Sequence, residues 1–130
     1  MASFGRRSKA NLSTAHPDLQ RLFNEVVKHF DCSVTCGHRG KEAQNEAYHS
    51  GRSKVKWPDG NHNSKPSQAV DVIPYPVDWG DIKRFYMFVG FVRGIAASMN
   101  IKIVAGADWD GDTQVKDQDF NDLPHFELIN

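Results

Sequence analysis

The chain has 130 residues, 39% of them apolar and 25% charged, and its 16 basic side chains balance 16 acidic ones. That length fits one compact domain around one core. Zero formal net charge argues against a nucleic-acid binder that works by neutralising phosphates, and equally against a polybasic membrane-surface binder. No apolar run reaches the roughly 18 residues that stable membrane insertion requires. The start, MASFGRRSKANLS, is basic but has no apolar stretch behind it, so it does not read as a secretory signal. A cytoplasmic product is expected, which something else must release if it acts outside the cell.

The first helix is expected from Pro17, where Leu19, Leu22, Phe23, Val26, Val27 and Phe30 recur at helical spacing. A short strand, Cys32–Cys36, follows and stops at Gly37. Four strand residues span roughly 13 Å, too far for a disulfide, so both cysteines are expected to pack as small hydrophobes. A second helix is expected from Lys41 to Gly51. Residues 51–67 are rich in Gly, Ser, Pro, Asn and Lys and read as a long loop, a feature that in a compact domain is functional or mobile. QAVDVIPY reads as a buried strand, Asp81 to Ser98 as the longest helix, and IKIVAGADW as a third strand. HFELI closes the chain as a fourth. Mixed elements without regular βαβ alternation indicate an α+β domain, a small, largely antiparallel sheet packed with about three helices.

Two segments carry candidate chemistry. One is His62-Asn-Ser-Lys-Pro-Ser-Gln-Ala-Val-Asp71, the other Asp122-Leu-Pro-His125-Phe-Glu127. Two imidazoles and a carboxylate suit Zn²⁺ and leave a coordination position for water. Such a metal needs a nearby base, and Asp122 lies three residues before His125. Each residue also has a plainer reading: His62 as a solvated loop histidine, His125 as a hydrogen-bonded core histidine, Asp122 and Glu127 as surface charges. Asp71 is harder to explain away, because an unpaired carboxylate among apolar neighbours is costly.

These segments resemble the zinc peptidases of peptidoglycan that include D-alanyl-D-alanine carboxypeptidases, dipeptidases and small phage endolysins cutting L-alanyl-D-glutamate bonds. The family pattern is Ser-x-His-x-x-Gly-x-Ala-x-Asp, followed later by an acid, two residues and His. Ala69-Val70-Asp71 and Asp122-Leu-Pro-His125 match it, and GHRGKEAQNEAYHSGRSK resembles the family's upstream arginine segment. GADWDGD followed by HFEL resembles the phage branch. The resemblance implies a single zinc peptidase domain over residues 1–130, with His62, Asp71 and His125 as zinc ligands. It implies Asp122 as the proton-transferring base and Arg39 facing the developing oxyanion or a substrate carboxylate. Gln44 is a supporting or substrate-contacting candidate, and Trp109 and Phe126 are expected to wall the pocket. The implied partner is the peptidoglycan stem peptide. A small enzyme that diffuses through the wall is expected to be a monomer, and with no secretory signal it is expected to leave the host cytoplasm through a lesion made by another protein. A D,D-carboxypeptidase or dipeptidase is the alternative enzyme, and a catalytically silent wall-binding domain the alternative class. One departure keeps the latter open: His62 stands nine residues before Asp71 instead of seven, with Ser64 at the family's histidine position.

The acidic loop gives a second metal candidate. Asp108, Asp110, Asp112 and Asp119 fall at positions 1, 3, 5 and 12 of a calcium-loop count. Thr113 stands where that loop has glycine, and Asp119 is shorter than the usual glutamate, so a Ca²⁺ site and a solvated acidic loop both fit.

Overall fold

A computed structural model describes residues 2–114 and 122–129. Its elements run α1 (Arg6–Leu12), α2 (Pro17–Val26), β1 (Cys32–Cys36), α3 (Lys41–His49), β2 (Ala69–Pro74), α4 (Ile82–Ser98), β3 (Ile103–Ala105) and β4 (His125–Leu128). The strands form one antiparallel sheet in the order β1-β2-β4-β3. The α+β expectation holds, with four helices in place of about three.

The additional helix is α1, at the basic start. Seven residues are too few to display a helical period, and α1 is held by what it touches. Ser8 Oγ accepts the Val34 N–H at 3.0 Å and Asn11 Nδ2 donates to the Val34 carbonyl at 2.8 Å. Two side chains thereby satisfy the outer edge of β1, which would otherwise be an unpaired strand edge.

Helix α2 starts as expected, with Pro17 in its first turn and the His16 ring nitrogen accepting the Asp18 N–H at 3.0 Å. It ends at Val26, so Val27 and Phe30 lie beyond it. Asp81 caps α4 by accepting the Arg84 N–H at 3.2 Å. Leu19, Leu22, Phe23 and Val26 of α2 and Phe88, Val92 and Ala96 of α4 are buried with Val34, Val70, Val72 and Phe126 of the sheet. Phe126 meets both helices, at centroid distances of 5.4 Å to Phe23 and 6.1 Å to Phe88.

The opposite face of the sheet is different. Strand neighbours point to opposite sides, so Val70 and Val72 enter the core while Asp71 leaves it. On β4, Phe126 enters the core while His125 and Glu127 leave it. The register pairs Asp71 with His125 and Ala69 with Glu127. Two strands therefore deliver the carboxylate and imidazole side by side.

Candidate metal centre

Sequence-distant donors converge on Asp71. His62 Nε2 lies 3.3 Å from Asp71 Oδ1 and His125 Nδ1 lies 3.4 Å from the same oxygen. The two imidazole centroids are 5.1 Å apart. All three side chains are largely buried.

Each donor is aimed by its other polar atom. His62 Nδ1 sits 2.7 Å from the Gly37 carbonyl oxygen. A carbonyl only accepts, so Nδ1 carries a proton and Nε2 is the nitrogen that faces the centre. His125 Nε2 sits 2.6 Å from Glu127 Oε1, and Glu127 Oε2 accepts from Asn61 Nδ2 at 2.7 Å. Asp71 Oδ2 accepts from Arg39 Nη2 at 3.3 Å, leaving Oδ1 facing inward. His62 Nε2 and Asp71 Oδ1 are buried and have no hydrogen-bond partner. Orphaned polar atoms are costly to bury, and here they face one another.

That arrangement fits a tetrahedral divalent cation. Bonds of about 2.0–2.1 Å at tetrahedral angles separate donors by about 3.3–3.4 Å, the spacing found on both sides of Asp71 Oδ1. The supporting partners, a backbone carbonyl and a carboxylate behind the two histidines, are those that orient imidazole ligands in metal sites.

The electrostatics agree. Burial penalises the charged form of His62, yet the Asp71 carboxylate and the Cys36 sulfur outweigh it and push its pKa up to about 10. Burial likewise opposes ionisation of Asp71, and His125 and His62 overcome it and hold the carboxyl well below its ordinary range. His125 is raised against burial by Asp71 and Glu127. The cluster demands positive charge between Asp71 and the imidazoles, which protons or a metal can supply.

The loop carrying His62 explains its unusual spacing. Gln68 N–H bonds the Asn61 carbonyl at 2.9 Å, closing residues 62–67 into a short excursion. Ser64, Lys65 and Pro66 are its exposed tip. The Arg39 N–H holds the His62 carbonyl at 2.8 Å. The additional chain is absorbed at the surface, and the imidazole still reaches Asp71.

Asp122 sits beside the cluster, its Oδ2 3.9 Å from His125 Nδ1. Burial and the Asp71 charge raise its pKa. Its backbone is pressed against Gly106, where a Cβ would collide with the Asp122 carbonyl, and Asp122 N–H bonds the Gly106 carbonyl at 3.0 Å. Glu127 differs: burial opposes its ionisation, and the His125 contact outweighs that and lowers its pKa. A cavity of about 380 Å³ opens over these groups, bounded also by Arg39, Gln44 and Trp109. Trp109 lies 5.1 Å from the His125 ring, on the pocket side as expected. Phe126 is a core residue and not a pocket wall, because strand alternation turns it away from His125.

Two residues acquire roles that their spacing hid. Cys32 is buried as expected, whereas Cys36 is turned towards the cluster, its sulfur 3.8 Å from His62 Nδ1. A bulge between Val34 and Cys36 sets Cys36 opposite Asp71, the re-aiming that such irregularities produce. Cys36, His62 and Asp71 can themselves form a metal-ligating group, as can Asp71, Asp122 and His125. Gln44 is almost wholly buried, and every hydrogen-bonding site on its amide is used. Nε2 donates to Ser53 Oγ at 2.9 Å and the Val55 carbonyl at 2.7 Å, and Oε1 accepts from Arg39 Nη1 at 3.2 Å and Asn63 Nδ2 at 3.1 Å.

The acidic loop brings Asp108, Asp110 and Asp112 together, with carboxylate oxygens within 4.8 Å of one another. Asp108 is 2% exposed and its Oδ2 is held by Arg93 Nη1 at 2.9 Å and Thr113 N–H at 2.8 Å. Its Oδ1 is buried without a partner. Asp119 lies outside the described residues.

Comparison with known proteins points one way. A family model described as phage L-alanyl-D-glutamate peptidase matches residues 1–129. The chain is 28% identical over 136 aligned residues to the L-alanyl-D-glutamate peptidase of Escherichia phage T5, covering 97% of each. The crystal structure of Serratia marcescens L-Ala D-Glu endopeptidase ChiX superimposes with a TM-score of 0.76 at 27% identity, covering 98% of this chain and 91% of that one.

Proposed function

The chain belongs to the phage L-alanyl-D-glutamate peptidase family and is a peptidoglycan-cleaving endopeptidase, and we propose that it works as a zinc enzyme with His62, Asp71 and His125 as ligands. The observation that carries this reading is the donor spacing of 3.3 and 3.4 Å about Asp71 Oδ1, with two of the three atoms buried and unpartnered. Bound there, Zn²⁺ supplies Lewis-acid polarisation of the scissile carbonyl and a more acidic water. Asp122 is the group that takes the proton from the attacking water and returns it to the leaving amine. Burial and the Asp71 charge raise its pKa, which makes it a stronger proton acceptor than an ordinary carboxylate. Glu127 is committed to His125 and Asn61 and serves to orient the imidazole. Arg39 holds Asp71 through one donor and Gln44 through another, and its remaining N–H groups are available to the developing oxyanion.

The bond cut is then L-alanyl-D-glutamate in the peptidoglycan stem peptide, by a monomeric phage endolysin. Among the described residues no helix is long and apolar enough to cross a membrane. Delivery to the wall through a lesion made by another protein belongs to the same proposal. The test is a stem peptide incubated with chelator-treated protein, with and without added Zn²⁺, and read by mass spectrometry. Zinc-dependent appearance of a new alanyl carboxyl terminus is expected. Release of terminal D-alanine alone would move the protein to the carboxypeptidases, and full activity without metal would end the zinc reading.

A second cation reading rests on the buried, unpartnered Oδ1 of Asp108. We propose Ca²⁺ there, shared with Asp110 and Asp112 and, from the sequence count, Asp119. Calcium binding by the zinc-loaded protein that persists in Asp108→Asn would overturn it.

A further inference from the structure

The pocket contains three cations, Arg39, Arg52 and Lys54, and they are not equivalent. Arg39 is 17% exposed, is paired with Asp71 and is assigned above to the reacting carbonyl. Arg52 makes an ion pair with Glu46 at 3.6 Å, but the two side chains are 65% and 77% exposed. A pair so exposed contributes little and is easily exchanged for another carboxylate.

The segment carrying Arg52 and Lys54 is not the loose loop that its composition suggests. Gly51, at φ +84°, turns the chain off the end of α3. The N–H groups of Arg52 and Ser53 then both bond the Ala47 carbonyl, at 2.9 and 3.0 Å. Gln44, saturated and buried, grips Ser53 Oγ and the Val55 carbonyl on either side of Lys54. The cations are therefore carried on a braced arm whose anchor also holds Arg39.

The substrate's chemistry supplies a partner. An alanyl residue presents a methyl group to the site. A glutamyl residue has two carboxyl groups, and the onward chain can consume only one of them. One carboxylate therefore remains on the amine side of the scissile bond. Arg52 and Lys54 line the same cavity of about 380 Å³ as His62 and His125.

We propose that Arg52 and Lys54, on the arm braced by Gln44, form the subsite for the unconsumed carboxylate of the glutamyl residue that follows the scissile bond. The inference deepens the peptidase reading and rests on it. Recognition by this subsite is electrostatic and reads charge rather than shape, so it weakens as salt rises.

The test compares two stem-type peptides that differ only in that carboxylate, intact or converted to the neutral carboxamide. The wild-type zinc-loaded enzyme should prefer the carboxylate by about ten-fold in kcat/KM at low ionic strength, a value set by charged hydrogen bonds discounted for exposure. The preference should shrink in 0.5 M salt. In Arg52→Gln/Lys54→Gln the ratio of the two kcat/KM values should fall to about one. A ratio cancels damage common to both substrates, so general loss of activity cannot imitate the result. The single variants should each lose part of the preference. Equal cleavage of both peptides by the wild type would overturn the proposal, as would a preference retained in the double variant. Failure to cut either peptide would instead overturn the peptidase reading beneath it.

Discussion

Replacing His62 with Ala separates the zinc reading from a merely similar fold. Zinc sites in small peptides bind with about 10–16 kcal/mol, or about 2.5–4 kcal/mol per donor across four donors, so losing one imidazole should weaken binding by about 10²–10³-fold. The fold should survive. The Gly37 carbonyl loses its 2.7 Å imidazole partner but keeps the Cys36 thiol at 3.6 Å, and the vacated space borders an open pocket that water can fill. Asp71 keeps His125 and Arg39 beside it, so the stability loss is about 1.5–3 kcal/mol, that of one hydrogen bond to a charged group. Ser64→Ala is the matched control. Ser64 is exposed and bonds only the nearby Pro66 carbonyl at 2.9 Å, so its loss should change zinc affinity by about two-fold at most. Moving an imidazole to that position, Ser64→His in the His62→Ala background, should not rescue binding, because residue 64 lies on the exposed tip. Affinities are read by competition with a chromogenic chelator in one buffer, with circular dichroism confirming the fold. If His62→Ala binds zinc within three-fold of the parent, the ligand set is wrong.

Asp122→Asn should retain stoichiometric zinc while kcat falls about 10²–10⁴-fold, and near-parental turnover by the zinc-loaded variant would assign proton transfer elsewhere. Glu127→Gln should weaken zinc binding about 10–100-fold. An amide cannot accept from both His125 Nε2 and Asn61 Nδ2 through two oxygens as the carboxylate does, and unchanged affinity would show that Glu127 does not aim His125.

Much of this was legible because long apolar periods leave a mark. Helices α2 and α4 and strands β1, β2 and β4 lie where their spacing puts them. Strand β3 is shorter than IKIVAGADW suggested. Pairing stops at Ala105, and the next residue, Gly106, is committed to its close approach to Asp122. Helix α1 was illegible because Ser8 and Asn11 act on an edge strand distant in sequence. Cys36 was illegible for a related reason: strict alternation would have kept it in register with Val34, and only the bulge turns it to His62. Phe126 could have been placed correctly. If His125 and Glu127 face the site on a strand, the residue between them faces the core. Gln44 is a polar residue on a short helix, and nothing in its spacing announces four buried hydrogen bonds.

The metal donors themselves show why one part of the family pattern can drift while another cannot. Asp71 and His125 are cross-strand partners, and a slip of one residue in either strand would send its donor into the core and a valine or phenylalanine into the site. Their local sequence is therefore rigidly constrained by the ladder. His62 is constrained differently. Its ring is pinned at Nδ1 by the Gly37 carbonyl and its backbone by the Arg39 N–H, and neither restraint depends on how many residues separate it from Asp71. Lengthening the tip at Ser64, Lys65 and Pro66 adds exposed chain, whose closure cost grows only slowly with length. A ligand borne on a loop and fixed by its own far nitrogen can thus tolerate a nine-residue spacing, where a strand-borne ligand would be lost by a shift of one.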